Sequence, residues 1–231
     1  MYPQEGRIRV MLVDDHRIVL WGMERLIEGE RPTMEVVATA TTCESAIELA
    51  LTTRPDVVVL DVDLLGESKD EVIPALANRH NTRVLILSGA RDGKMHDMAV
   101  RRGACGVVRK EAPPSTLLNA IRKVHEGQLW LDRATTGRLF VELSKRKADP
   151  DKDPEKRKVA SLTSREADVV RTLVTKPGAD NRELADRLNI GEHTLRNHLS
   201  RIYDKLGVPN RLELYVFAQR NGLNGNGRPH A

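Results

Sequence analysis

The stretch Asp56-Val57-Val58-Val59-Leu60-Asp61-Val62-Asp63 limits most tightly what this chain can become. Four apolar residues in a row lead into a carboxylate. A run so short and so apolar reads as a strand covered on both faces, the kind found in parallel sheets. Such a strand meets water only at its ends. Asp61 then lies at the carboxyl edge of a sheet, where open α/β folds place their chemistry. Three other segments end in the same way. Ile8 to Val13 runs into Asp14-Asp15, Arg83 to Leu87 into Ser88-Gly89-Ala90, and Gly106 to Arg109 into Lys110. As parallel strands of one sheet, they would bring acids, a hydroxyl and an amine to one edge.

Strands alternate with helical spacing across the first 130 residues. Ile18, Leu20, Met23, Leu26 and Ile27 recur as on a helix, Glu35 to Ala38 reads as a strand, and Ala46 to Leu51 as a helix. Val72, Ile73, Leu76 and Ala77 follow the central strand. Met95–Val100 reads as a short helix and Pro114–Glu126 as a longer one. Five strands and five helices in alternation predict an α/β fold, a doubly wound parallel sheet. With 231 residues, one or two domains are expected, and 40% hydrophobic content is enough for real cores. No apolar run approaches the roughly 18 residues of a membrane span. The start, Met1 to Arg7, lacks an apolar signal region. Cys43 and Cys105 have no metal-ligand spacing, and together these features predict a cytoplasmic protein.

Charge is unevenly spread. Residues 1–130 carry 17 Lys and Arg against 19 Asp and Glu, and residues 161–231 carry 11 against 8. The basic end is therefore the candidate for nucleic acid. Between them, Leu131–Ser144 looks helical, and Arg146–Lys158 is nearly all charge and Pro, a solvated linker. The expected division is 1–130 for the first domain, 131–160 for a linker helix and charged linker, 161–223 for an all-helical four-helix domain, and 224–231 for a disordered tail. Trp21 and Trp130 are expected to pack, and His16 is read as a first-turn helix residue.

In the second domain Leu162-Thr163-Ser164-Arg165-Glu166 is a capping box, with Ala167, Val170, Leu173 and Val174 as the apolar stripe. Asn181 is expected to cap a short helix carrying Leu184, Ala185 and Leu188. The turn Asn189-Ile190-Gly191 leads to a longer helix over Glu192–Leu206. A short helix, a tight Gly turn and a longer helix form the helix-turn-helix pattern. On the long helix Leu195, Leu199, Ile202 and Leu206 make one stripe, while His193, Arg196, Asn197, Ser200 and Asp204 are read as lying almost opposite it. Arg suits guanine and Asn suits adenine in the major groove. Arg201 and Lys205 flank that face and are expected at phosphates.

These motifs, in this order and spacing, resemble a two-component response regulator: a receiver domain joined to a LuxR-type, NarL/FixJ-like helix-turn-helix domain. On the receiver side the resemblance rests on Val13-Asp14-Asp15-His16, Leu60-Asp61-Val62-Asp63, Ser88-Gly89-Ala90, and Gly103-Ala104-Cys105-Gly106 running into Lys110. On the effector side it rests on the capping box, Asn181-Arg182-Glu183-Leu184-Ala185, Thr194-Leu195-Arg196-Asn197-His198, and Lys205-Leu206-Gly207-Val208 with Arg211. The resemblance implies a flavodoxin-like receiver with Asp61 as phosphate acceptor from a sensor histidine kinase. Asp14, Asp15, Asp61 and the backbone carbonyl of Asp63 would hold Mg2+, with Lys110 and Ser88 at the phosphoryl group. It implies a DNA-binding transcriptional regulator rather than an enzyme, acting as a homodimer through the last helix, Arg211–Arg220. Leu212, Leu214, Tyr215, Val216 and Phe217 there supply more apolar surface than one small domain should need.

The sequence departs from that pattern at Leu65 and Lys69, where Pro and Gly are usual. At Val107 the usual residue is an aromatic that reports phosphorylation, and at Gly191 it is a capping Ser. Two other readings stay open. Asp61-Val62-Asp63 is also the D-x-D of haloacid-dehalogenase-type phosphatases. A receiver fold could also switch by partner or ligand binding without phosphorylation.

Overall fold

The computed structural model describes residues 7–65, 69–77, 82–89, 93–145 and 153–223. The N-terminal elements are β1 (Ile8–Val13), α1 (Arg17–Glu28), β2 (Met34–Ala40), α2 (Cys43–Thr53), β3 (Val57–Asp61), α3 (Lys69–Ala77), β4 (Arg83–Ser88), α4 (Gly93–Arg101), β5 (Ala104–Arg109) and α5 (Pro114–His125). The strands form one parallel sheet in the order β2-β1-β3-β4-β5. This is the doubly wound fold the alternation predicted. Every residue of β3 is buried, as its unbroken apolar run requires.

Register then decides where the chemistry falls. Val13 pairs with Leu60, Asp61 with Leu87, and Ser88 with Arg109. The last residues of β1, β3, β4 and β5 therefore share one edge. The chain leaves β1 in one direction to β2 and returns on its other side to β3. That reversal opens a crevice at the carboxyl ends, between Asp14 and Asp61.

α1 corrects two expectations. Its buried residues are Leu20, Met23 and Ile27, while Ile18 is 79% and Trp21 59% exposed. Trp21 carries the Arg25 guanidinium over its ring at 5.8 Å instead of packing in the core. The departures at Leu65 and Lys69 bracket residues 66–68, and those residues, Ala90 and the tail 224–231 lie outside the described part.

Chain contacts divide the molecule between His125 and Glu126, five residues before the expected boundary. The C-terminal unit contains α6 (Arg133–Lys145), α7 (Asp153–Ala160), α8 (Ser164–Thr175), α9 (Asn181–Leu188), α10 (Glu192–Leu206) and α11 (Arg211–Arg220). Val170, Leu173, Leu184, Leu188, Leu195, Leu199, Ile202, Leu214 and Phe217 share its core. The Thr163–Glu166 capping box forms as expected. Asp180, not Asn181, caps α9, its side chain accepting the Glu183 N–H at 2.8 Å, while Asn181 is the fully buried first helical residue. Asp180 wins because its carboxylate can stay in water while it caps.

Two segments expected to be linker are built into this unit. α6 lays Thr135, Leu139 and Leu143, one buried stripe at helical spacing, on α11. α7 forms from the charged stretch and docks by Val159, which packs on the core, and by polar contacts. Lys158 Nζ donates to the Leu206 carbonyl at 2.9 Å, and Asn221 Nδ2 donates to Glu155. A cation on the last carbonyls of α10 also meets the negative end of that helix. Gly207 closes α10 at φ +65°, and a side chain there would press on the Lys158 amine. No helix among the described residues is long and apolar enough to cross a membrane.

Candidate acidic pocket and candidate nucleic-acid interface

The sheet edge collects four charged groups. Asp14 and Asp61 are fully buried, and the side chains of Asp63 and Lys110 are 59% and 24% exposed. Lys110 Nζ donates to Asp61 Oδ2 at 2.6 Å and lies 3.5 Å from Asp14 Oδ2 and 3.9 Å from Asp63 Oδ2. The Asp63 N–H donates to Asp61 Oδ1 at 3.1 Å. Both Asp61 oxygens therefore have fixed donors.

Asp15 enters the cluster through His16. The His16 Nδ1 sits 2.8 Å from Asp15 Oδ1 and 3.1 Å from Asp14 Oδ1, and the His16 N–H donates to Asp14 Oδ1 at 2.8 Å. His16 is thus the N-cap of α1 rather than a first-turn residue. Asp14 Oδ2 is buried and has no hydrogen bond; Lys110 attracts it without reaching hydrogen-bond distance. Ligand atoms from Asp14, Asp15, His16 and Asp61 all lie within 4.8 Å of one another. An orphaned oxygen among converging carboxylates fits a hard divalent cation, which takes oxygen donors.

Burial pushes the Asp61 carboxyl above its ordinary value, and the Asp14 charge adds to this; the Lys110 and Asp63 hydrogen bonds oppose it. Burial also pulls the Lys110 amine down, but the hydrogen bond to Asp61 and the nearby carboxylates outweigh it, and its net shift is upward. Burial thus works against the charge on each partner, and the contact between Asp61 and Lys110 works for both charges.

Ser88 is fully buried at the end of β4. One partner of its hydroxyl is His96 Nε2, at 3.1 Å. His96 belongs to α4 and is only 9% exposed. No sequence pattern marks it, because a single polar residue in a nine-residue helix leaves no periodic signal. Val107, opposite Ile86, packs with the core.

On α10 the expected stripe is buried: Leu195, Leu199, Ile202 and Leu206. His193, Asn197, Arg201 and Asp204 are exposed, and Ser200 is half-buried. The two cations a quarter-turn from the stripe behave differently from expectation. Arg196 is half-buried and its guanidinium pairs with Glu192, one turn earlier, with Nε 3.1 Å from the carboxylate. Lys205, expected at a phosphate, is engaged within the chain: its Nζ donates to Glu166 Oε2 at 2.6 Å and to the Ser161 carbonyl at 3.1 Å. Burial would raise the Glu166 carboxyl, but Lys205 and the Thr163 cap hold it below its ordinary value. A long amine at the edge of the stripe is claimed by the buried carboxylate beside it.

α11 is also engaged within the chain. Arg211 is buried and donates to the Gly127 carbonyl at 3.0 Å and the Ala179 carbonyl at 2.6 Å. Leu212 and Val216 are buried, yet they lie outside the core cluster that holds Leu214, Phe217 and Ala218. α6 accounts for the surplus apolar surface of α11. A cavity of about 440 Å³ remains beside this contact, lined by Leu131, Phe140, Leu173, Leu212 and Tyr215 among others.

Residues 10–122 match the response regulator receiver domain family, and residues 160–218 match the bacterial regulatory proteins of the luxR family. The chain is 33% identical over 212 residues to the DNA-binding transcriptional activator DevR/DosR of Mycobacterium tuberculosis, covering 91% of this chain and 94% of that one. It is 29% identical over 215 residues to the nitrate/nitrite response regulator protein NarL of Escherichia coli, covering 93% and 96%. A solved LuxR-family two-component response regulator from an Aurantimonas species is 33% identical, covers 59% of this chain and 97% of that chain, and superposes with a TM-score of 0.50. Receiver sheet, acid-lined edge and helix-turn-helix agree with both family matches, and the chain belongs to the two-component response regulators, as a transcriptional regulator with a receiver domain and a LuxR-type DNA-binding domain.

Proposed function

We propose that Asp61 accepts a phosphoryl group from a sensor histidine kinase and that this controls pairing and DNA binding. The observation that carries the reading is the buried Asp61–Lys110 pair set among Asp14, Asp15 and Asp63. An Asp61 carboxylate oxygen attacks the phosphorus of a phosphoimidazole. The P–O bond forms as the P–N bond breaks, and the leaving nitrogen keeps the electron pair. Lys110 is positioned to neutralise oxygens that gain charge, and Ser88 to donate its hydroxyl proton to one of them. Asp14, Asp15, Asp61 and the Asp63 carbonyl would hold Mg2+, which when bound would supply further positive charge to the phosphoryl oxygens. The kinase would dock beside α1, whose exposed Ile18 and Trp21 follow closely on the acid pair. Such an exchange belongs in the cytoplasm.

At the other end Asn197, Ser200 and Arg196 are proposed to read base edges of double-stranded DNA, with Arg201 at a phosphate. Arg196 must first leave Glu192. One recognition helix reads few bases, so two copies on adjacent half-sites are needed. Pairing through α11 is proposed to require α6 to move off it. The open pocket beside α6 leaves part of that contact facing solvent.

The test is chemical. Wild type with Mg2+ and acetyl phosphate should gain one hydroxylamine-labile phosphoryl group, and Asp61→Asn none. Equal labelling of the Asn variant would remove Asp61 as acceptor. Steady turnover of a generic phosphomonoester would favour a D-x-D phosphatase instead.

A further inference from the structure

We propose that His96 is a positioning residue for Ser88: it sets where the Ser88 proton points, and so carries the state of Asp61 into α4. This rests on the reading of Asp61 as phosphate acceptor. Ser88 directly follows Leu87, the register partner of Asp61, and its carbonyl accepts the Lys110 N–H at 2.9 Å. It is tied to the pocket by backbone on one side. On the other, its hydroxyl meets His96 Nε2 at 3.1 Å, inside α4. Both residues are buried, so neither can exchange this contact for water without opening the structure. Val107, on the neighbouring strand, is aliphatic and offers Ser88 no hydrogen-bonding group.

A hydroxyl has one proton, and a neutral imidazole has one donor and one acceptor nitrogen. With Nε2 as acceptor, Ser88 gives its proton to His96 and turns lone pairs toward the pocket. A phosphoryl group on Asp61 brings charged acceptor oxygens, and hydrogen bonds to charged acceptors are roughly twice as strong as neutral ones. Ser88 then donates to the phosphoryl group. His96 keeps its contact by becoming the donor: during a transient opening of α4 the ring releases the Nδ1 proton to water and takes one from water at Nε2. Net charge is unchanged, but the hydrogen bond between β4 and α4 has reversed.

The test uses the full chain as wild type, His96→Gln, His96→Leu and His96→Asn. Gln places an amide near the position of Nε2; Leu fills space without hydrogen bonding; Asn is polar but too short. Each is loaded with acetyl phosphate and Mg2+. Labelling is read by mass spectrometry, hydrogen exchange over Gly93–Arg101 with and without label, and the His96 tautomer by nitrogen NMR. Wild type and Gln should both show a several-fold change in α4 exchange on labelling. In wild type the protonated ring nitrogen should switch from Nδ1 to Nε2. Leu should label at least as fast as wild type, since the imidazole no longer competes for the Ser88 proton, yet α4 should no longer respond. If Leu does not fold, Asn should show the same loss. A full α4 response in Leu or Asn, or an unchanged His96 tautomer in labelled wild type, overturns the proposal. An unlabelled wild type defeats the Asp61 reading itself, and with it the competitor on which His96 depends.

Discussion

The receiver pocket and the recognition helix are both polar sites, but they are made in different ways. In the pocket, the sheet fixes position. Asp14, Asp61 and Lys110 stand at the ends of strands whose register is set by burial, and their partners are in place before any ligand arrives. On α10 the period of the helix fixes only which side is buried. The outward residues Asn197 and Arg201 follow from that, whereas the fates of the boundary residues Arg196 and Lys205 are decided by carboxylates at Glu192 and Glu166. A site at strand ends is thus determined by topology. A site on a helix face is determined only at its centre, and neighbouring charges settle its margins.

The largest expected effect tests the preset half. Lys110→Met leaves two buried carboxylates without their cation and should cost about 2–3 kcal/mol, below the full figure for a wholly buried pair because Lys110 is partly exposed. The pH dependence has a definite sign. The Asp61 carboxyl is raised in the folded state, so its ionised form opposes folding, and protonation favours the folded state. The deficit of Lys110→Met should therefore shrink as pH falls through the folded Asp61 value. The raised Lys110 amine contributes stability below its unfolded value of about 10.4 and loses it as pH rises through the folded value. Chemical denaturation across pH checks both; a deficit that grows in acid would mean the charges do not face one another as described.

The same contrast explains what the sequence made legible. The β3 run announced its own burial, and four strand ends with chemical residues located the pocket. The α10 stripe was legible because four leucines and isoleucines keep one period. The inward turn of Lys205 was not, since its partner Glu166 is 39 residues away in sequence and on another helix. His96 was hidden for the same reason, as its contact with Ser88 is made only once α4 folds over β4. The stripe Thr135, Leu139 and Leu143 marks a helix but does not say what it covers, so α6 read as linker. Charge-rich α7 carries no apolar stripe, and it is docked by Val159 alone on the core and by single polar contacts that no pattern encodes.

The margins of α10 give the middle-sized effect. Lys205→Met should lower the stability of the C-terminal unit by about 1–2 kcal/mol, because it leaves the buried Glu166 carboxylate without its cation, held by the Thr163 cap alone. It should barely change the salt dependence of DNA binding. Arg201→Ala should do the reverse, sparing stability and reducing the salt slope by about one. Because Glu166 is depressed in the folded state, the Lys205 contribution is present above about pH 4.3 and is lost as pH falls through the folded value. If Lys205→Met instead lowers the salt slope as Arg201→Ala does, Lys205 is a phosphate contact after all.

The smallest effect concerns Arg196. Its pair with Glu192 is a partly exposed contact between residues one turn apart, which contributes about 0.3–0.5 kcal/mol. Glu192→Gln should release the guanidinium and tighten specific DNA binding by about twofold, on that figure, with stability nearly unchanged. Weaker binding by Glu192→Gln would show that the pair holds Arg196 in its reading position rather than away from it.

Both halves meet in one experiment. The affinity of the full chain for an inverted-repeat DNA is measured before and after acetyl phosphate with Mg2+, in wild type and in Asp61→Asn, with labelling quantified in the same samples. Binding should tighten several-fold in labelled wild type and stay unchanged in the Asn variant. Equal tightening in both, or fully labelled wild type with unaltered affinity, would contradict phosphorylation of Asp61 as the switch for DNA binding.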